Sequence, residues 1–370
     1  MRTSAALGTR VAAFLAVLAA VAALGTAAHA PWAAFVHSPV ALRGHTAAAS
    51  RLRAPAVLAR ARRCGGLQIR ASASPNVLPG QQPEEVEVVA DDGHKIKMWV
   101  KGPKDGRNVV LLHGRTWSAR PVWDLQVGDP PRDGASKLGA STMDLMASLG
   151  IRTFAPDMRG LGGTERDDPG YTTPHRCVSD VKCVIDYLKE QGVHKPHLVG
   201  WSQGGLVAQL YAQKHGEDIN GVVLYATIFD ADQKYPEEEP PATPPVVMNM
   251  MEGAMEDWTC PGLIDDEAAQ AFGTDALQWD SRKVSWARLH EFNELDAAKV
   301  TIPTLVIHGE KDMYTDFEKQ RKLFMDLGTR DKGWRVVAGC DHPVHLYPRE
   351  RRVWMSALMG FFEGIDAYAD

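Results

Sequence analysis

From residue 84 onward, apolar and polar positions follow two periods in turn. Residues 84–90 alternate acidic and apolar side chains, Asp91-Asp92-Gly93 is a turn signal, and residues 95–100 alternate again, which predicts an opening hairpin. Residues 108–112 are a continuous apolar run ending in His113-Gly114, the mark of a strand buried on both faces. A long connection follows, to about Lys137, carrying Trp117, Arg120, Pro121 and Trp123; connections of this length are more often functional than structural. Residues 141–149 then suit a helix and 151–155 a strand, followed by the tight loop Asp157-Met158-Arg159-Gly160-Leu161-Gly162. Thr173 with Pro174 behind it is a helix start, and Cys177, Val178, Val181, Val184, Ile185 and Leu188 give that helix one apolar face. Residues 197–201 are a strand, 203–215 a helix and 221–226 the next strand.

The rhythm breaks after Ile228. Between Phe229 and Val300 there is no convincing buried strand, but a Glu/Pro run at 236–245, a group of methionines (Met248, Met250, Met251, Met255), and helical periodicity over 265–279 and 285–292. Met and Trp side chains suit the wall of an apolar pocket and suit plain core equally well. The strand pattern resumes at 304–307, leading into His308-Gly309-Glu310-Lys311-Asp312, and at 334–338, leading into Gly339-Cys340-Asp341-His342. A closing helix carries Val353, Trp354, Ala357, Leu358, Phe361 and Phe362 as one stripe. Strands that alternate with helices and are mostly unbroken apolar runs predict an α/β fold with a largely parallel sheet covered on both faces.

Between the strand at 197–201 and the helix that follows lies Gly200-Trp201-Ser202-Gln203-Gly204, the G-x-S-x-G pattern of a nucleophile elbow. Such a turn is too sharp for side chains at the flanking glycines and leaves the serine hydroxyl exposed, so Ser202 is the candidate nucleophile. A serine hydroxyl attacks poorly near neutral pH. It needs a histidine to take its proton and a carboxylate to orient that imidazole and stabilise its cation.

Five motifs occur in one order: His113-Gly114, Asp157-x-Arg159-Gly160-x-Gly162, the elbow, HGEKD and GCDH. From about Glu84 to its end the chain thereby resembles the α/β-hydrolases with a helical cap. The resemblance implies an eight-stranded, mostly parallel sheet with helices on both faces, a core at 79–228 and 303–370, and a cap insertion at 229–302. It implies His342 as the base and Asp312 as the acid, with Asp230 as the rival acid and Asp316 and His345 as weaker alternatives. Asp341 is expected to be a solvated or turn residue. The oxyanion donors it implies are the backbone N–H groups of Gln203 and Arg115. Arginine at the second position departs from the apolar or small residue usual there. Its side chain, or that of Arg120, could recognise a substrate carboxylate or phosphate; the ordinary expectation is that the guanidinium of Arg115 points to solvent. His113, Gly114, Trp117, Trp201 and Met251 are the pocket candidates.

The implied chemistry is hydrolysis of a carboxylic ester through an acyl-serine intermediate, with no metal and no cofactor. Alternatives are acyl transfer, cleavage of an amide, thioester or C–C bond on the same residues, and a non-catalytic ligand-binding receptor that keeps a hydrolase shell. Trp201 in the elbow resembles the carboxylesterases acting on acyl methyl esters.

Composition is globular, with 45% hydrophobic and 24% charged residues. Charge is unevenly spread: residues 1–83 hold nine arginines and no lysine or acid, so of the formal net −5 the remainder carries −14. An acidic body argues against a nucleic-acid partner. The basic segment reads as an address. Arg2 and Arg10 precede an apolar run at 11–28, Ala28-His29-Ala30 has the form of a signal cleavage site, and a Ser-, Ala- and Arg-rich stretch begins near Phe35. Signal followed by transit segment resembles the bipartite leaders of complex plastids, so residues 1–78 are expected to be a disordered targeting leader to a plastid. The alternative is secretion or anchorage through 11–28; no stable membrane span is expected in the mature form. Cys64 falls in the leader, and the spacing of Cys177, Cys183, Cys260 and Cys340 suggests free thiols.

Overall fold

The computed structural model describes residues 82–126, 141–168, 170–264 and 266–367. The expected leader, residues 1–78, lies outside them. So does most of the second half of the long connection after His113-Gly114.

The hairpin forms as expected from β1 (Glu84–Val89) and β2 (Lys95–Lys101), paired antiparallel. The sheet continues with β3 (Arg107–Leu112), β4 (Ile151–Pro156), β6 (His197–Trp201), β7 (Val222–Tyr225), β9 (Thr304–Gly309) and β10 (Lys332–Val337). Its eight strands lie in the order β1-β2-β4-β3-β6-β7-β9-β10. From β4 to β10 every pairing is parallel. This is the α/β-hydrolase fold.

Alternation within the central strands divides the core into two layers. Val110, Leu112, Leu198, Val222 and Leu224 face one layer, and Val109, Leu111, Val199, Val223 and Tyr225 face the other. Helices α3 (Pro174–Glu190) and α4 (Gln203–His215) cover the first face with Val181, Val184, Leu188, Val207 and Leu210. Helices α1 (Ala119–Trp123), α2 (Thr142–Ser148) and α8 (Arg351–Asp366) cover the second with Trp123, Met143, Met146, Trp354, Leu358 and Phe362. In α8 Val353 is exposed, so the buried stripe is narrower than its apolar pattern. The caps are legible in the sequence: Thr173 accepts the N–H of Arg176 at 3.3 Å with Pro174 at the first helical position, and Ser141 accepts that of Asp144 at 3.0 Å.

Between β7 and β9 the chain holds two helices, α5 (Met251–Met255) and α6 (Asp266–Trp279). Residues 285–292 do not form the expected helix. Ser285–Trp286 is a two-residue strand, β8, paired in parallel with β5 (Tyr171–Thr172), and Leu289–Glu294 is a 3₁₀ helix. A further helix, α7 (Phe317–Asp326), follows β9; its mostly polar sequence buries little beyond Gln320 and Leu323.

The parallel register decides where chemistry can gather. Leu112 and Gly200 are partners, as are Trp201 and Tyr225, Tyr225 and Ile307, and Gly309 and Val337. The strands therefore end at one edge of the sheet, and the loops carrying Gly114, Ser202, Asp312 and His342 leave from that edge, where sheets of this kind bind ligands.

Candidate active site

Ser202 stands between β6 and α4 with φ 58° and ψ −124°, a backbone conformation sterically costly for a residue with a side chain. The strain is held by hydrogen bonds from Ser202 N–H to the carbonyl of Tyr225 and from Gly205 N–H to the carbonyl of Ser202, both 3.0 Å. A Cβ at Gly200 would sit 2.3 Å from the carbonyl oxygen of Gly204, so that glycine is required by the turn. Gly204 is required for another reason: a Cβ there would sit 2.3 Å from the carbonyl oxygen of His113, on the neighbouring loop. That close approach brings the two loops together, and the Cα of Gly114 faces Ser202, where an added Cβ would lie 3.3 Å from the serine Cβ.

His342 and Asp312 meet as expected. Nδ1 of His342 lies 2.8 Å from Oδ2 of Asp312, and both side chains are buried. The other carboxylate oxygen of Asp312 accepts the N–H of Tyr314 at 2.9 Å. Asp230 is elsewhere engaged, 2.6 Å from Nζ of Lys319 and accepting the N–H of Asp232 at 3.0 Å. Asp316 caps α7, accepting the N–H of Lys319 at 3.0 Å. His345 is fully buried. Its Nε2 lies 3.0 Å from the carbonyl of Val122, so it must donate there, and Nδ1 accepts the Tyr225 hydroxyl at 2.9 Å. With both ring nitrogens occupied and burial driving its pKa down to about 3, His345 is a neutral structural group.

Several expectations are corrected by packing. His113 does not line a pocket: it is fully buried, its Nδ1 donating to the carbonyl of Gly114 at 2.9 Å and its Nε2 accepting the N–H of Met158 at 2.9 Å. Burial pushes its pKa down to about 4, so the ring is a neutral clasp that shapes the Gly114 loop. Trp201 is likewise buried. Its ring lies 5.0 Å from that of His342, and Nε1 donates to the His342 carbonyl at 3.3 Å, so it braces the histidine loop. Trp117 packs edge-on against Phe272 of α6 at 6.3 Å, and Met251 fills the space over Gly273, joining α5 to α6.

Asp341 is neither solvated nor a simple turn residue. Its buried carboxylate accepts the backbone N–H groups of Thr259 and Cys260, both at 2.7 Å, the Thr259 hydroxyl at 3.1 Å, and the Tyr347 hydroxyl. It fastens residues 259–260 of the inserted segment beside His342. The neighbouring Asp257 is thereby placed near Tyr314, whose ring stands 4.9 Å from that of His342. Nothing in the sequence around Asp257 or Tyr314 signals this proximity.

Burial disfavours charge on His342, yet the facing Asp312 carboxylate, with smaller contributions from Asp257 and Asp341, holds its pKa above the usual 6.5. For Asp312 burial acts upward, and the His342 charge and hydrogen bond, with the Tyr314 N–H, hold it below the usual carboxylate range. A base must be neutral to accept a proton, so kcat/KM for any reaction using His342 is expected to fall with acidification along a limb centred above 6.5. A pH–rate profile checks this; a limb well below 6.5 would contradict the electrostatic balance.

A strained serine at an elbow and a buried His–Asp pair, on loops leaving the same carboxyl edge of a parallel sheet, are the arrangement of the α/β-hydrolases. The family described as serine aminopeptidase S33 matches residues 135–348, more than half of the chain, and the protein belongs to it. Among curated relatives, the AB hydrolase superfamily protein YisY of Bacillus subtilis is 26% identical over 253 residues, covering 62% of this chain and 86% of that protein. The bifunctional esterase/perhydrolase DCH of Acinetobacter calcoaceticus is 26% identical over 263 residues, covering 65% and 87%. A putative aryl esterase from Burkholderia cenocepacia superposes with a TM-score of 0.51 at 18% identity, covering 77% of this chain and 100% of that one, which supports the fold. The protein is thus a hydrolase of the α/β-hydrolase superfamily.

Proposed function

We propose that the protein cleaves a carboxylic ester of a small molecule through an acyl-serine intermediate, with Ser202 as nucleophile, His342 as base and Asp312 as the residue that orients it. The observation that carries this reading is the buried 2.8 Å contact between His342 and Asp312 on loops that leave the same sheet edge as the strained Ser202. His342 takes the hydroxyl proton as Ser202 attacks the carbonyl. The N–H groups of Gln203 and Arg115 stabilise the oxyanion, and the protonated imidazole then returns its proton to the leaving alcohol. Water repeats the sequence on the acyl-enzyme. In this reading residues 229–302 serve as a cap whose α5 and α6 cover the site, and residues 1–78 deliver the protein to a plastid.

Relatives named as esterases favour the ester over other acyl bonds. The family's description as an aminopeptidase supports a second reading, cleavage of an amide by the same residues. The deciding experiment presents matched p-nitrophenyl esters, thioesters and aminoacyl p-nitroanilides to the protein. Turnover of the esters with rates on the anilides lower by orders of magnitude is expected, and the reverse order would replace the ester reading by the amide one.

A further inference from the structure

Arg115 occupies the position whose backbone N–H is the proposed second oxyanion donor; the residue is exposed, yet its head group has fixed neighbours. Nη1 donates to Oε1 of Gln203 at 3.1 Å, linking it to the residue that supplies the first donor. The guanidinium lies over the ring of Trp286 at 5.9 Å, while Nε1 of Trp286 donates to the Arg115 carbonyl at 3.3 Å. Backbone and head group are therefore both held by β8. Among the described residues no carboxylate forms an ion pair with it, whereas Arg107, Arg120, Arg159, Arg176 and Arg321 each have one. Arg120, the other arginine of this loop, is also occupied by the rings of Trp99 and Trp279, so it offers no comparable free charge.

Tyr235, a neighbour of this cation, belongs to a small cleft. It is lined by Leu206, one turn along α4 from Ser202, by Ile228, Tyr235 and Phe292, and by the polar Gln233 and Lys234. Tyr235 lies near Arg115, and its backbone is fixed by the Asn293 side chain, which accepts the Tyr235 N–H at 2.9 Å. Asp230, the carboxylate of the same cleft, is neutralised by Lys319 at 2.6 Å. An accessible guanidinium without an acid partner, fixed in orientation by Gln203 and Trp286 on the residue after Gly114, is complementary to a planar anion.

We infer that Arg115 forms an anion subsite next to the oxyanion position, so that the preferred substrate carries a carboxylate or similar oxyanion a few bonds from the scissile carbonyl. This rests on the ester reading above and adds a substrate class to it. The guanidinium would hold the anionic end, and the backbone N–H groups of Arg115 and Gln203 the carbonyl oxygen. One residue would then position both ends of a short dicarboxylic monoester.

The test compares mono-p-nitrophenyl glutarate with its neutral isostere p-nitrophenyl 5-methylhexanoate, in the wild type and in Arg115→Gln, reading the ratio of the two kcat/KM values. The wild type is expected to favour the glutarate by about tenfold or more, and the variant to bring the ratio near one, because the charge-assisted contact is lost. Arg115→Lys should keep part of the preference, as a point charge without the planar fork. A wild-type preference for the neutral ester, or an unchanged ratio in Arg115→Gln, would overturn the subsite. Fluorophosphonate labelling with and without free glutarate separates the two claims. If the wild type labels but turns over neither ester, the ester reading fails alone. Slower labelling in glutarate for the wild type but not for Arg115→Gln would still support the subsite, and equal effects on both would reject it.

Discussion

Replacing Ser202 with alanine is expected to abolish turnover of activated esters and all fluorophosphonate labelling while leaving unfolding behaviour close to wild type. Residues that act as a unit lose nearly everything when one is removed, about 10⁶-fold in kcat for nucleophiles of this kind. The fold should survive. The Ser202 side chain makes no hydrogen bond that the surrounding structure needs, the elbow being held by backbone bonds to Tyr225 and Gly205. Alanine at φ 58° is no more strained than serine. Intact folding separates loss of chemistry from loss of structure, and circular dichroism with a thermal melt measures it. Persistent labelling in a folded Ser202→Ala protein would place the reactive group elsewhere and remove the basis of the mechanism.

Asp312→Asn is the second large effect, expected to lower kcat by about 10⁴-fold, because an amide facing Nδ1 leaves the imidazole in the wrong tautomer and withdraws the charge that stabilises its cation. The same change removes the largest influence holding the pKa of His342 up, so the acid limb of any residual activity should move to lower pH. Asp230→Asn provides the contrast. Its carboxylate pairs with Lys319, and exchanging a partly exposed ion pair for a neutral one should alter kcat by less than about threefold. Steady-state kinetics on the two variants distinguish the acids; a crippled Asp230→Asn with an active Asp312→Asn would reverse the assignment.

Local pattern and tertiary placement can be separated residue by residue. The central strands were legible because a strand buried on both faces must be apolar throughout, and the caps at Ser141 and Thr173 because few side chains can satisfy the first helical N–H groups. Misreadings fell where the local signal had competing uses. Residues 285–292 carry helical spacing, yet Ser285 and Trp286 are drawn into pairing with Tyr171 and Thr172, more than a hundred positions earlier. His113 and Trp201 have the chemistry of pocket residues, but their polar atoms are consumed by Gly114, Met158 and the His342 carbonyl. Asp341 looked like a turn residue because its donors, Thr259 and Cys260, are some eighty positions away.

The order of motifs along the chain, the elbow glycines and the alternation of strand with helix are local properties, so the sequence alone determined the α/β-hydrolase class and the serine and histidine around which a site could be built. Which carboxylate faces His342, what surrounds it, and where the charge of Arg115 is held were decided only in three dimensions. Those contacts depend on the parallel register that ends distant strands at one edge, and on an inserted segment whose docking no short stretch of sequence encodes.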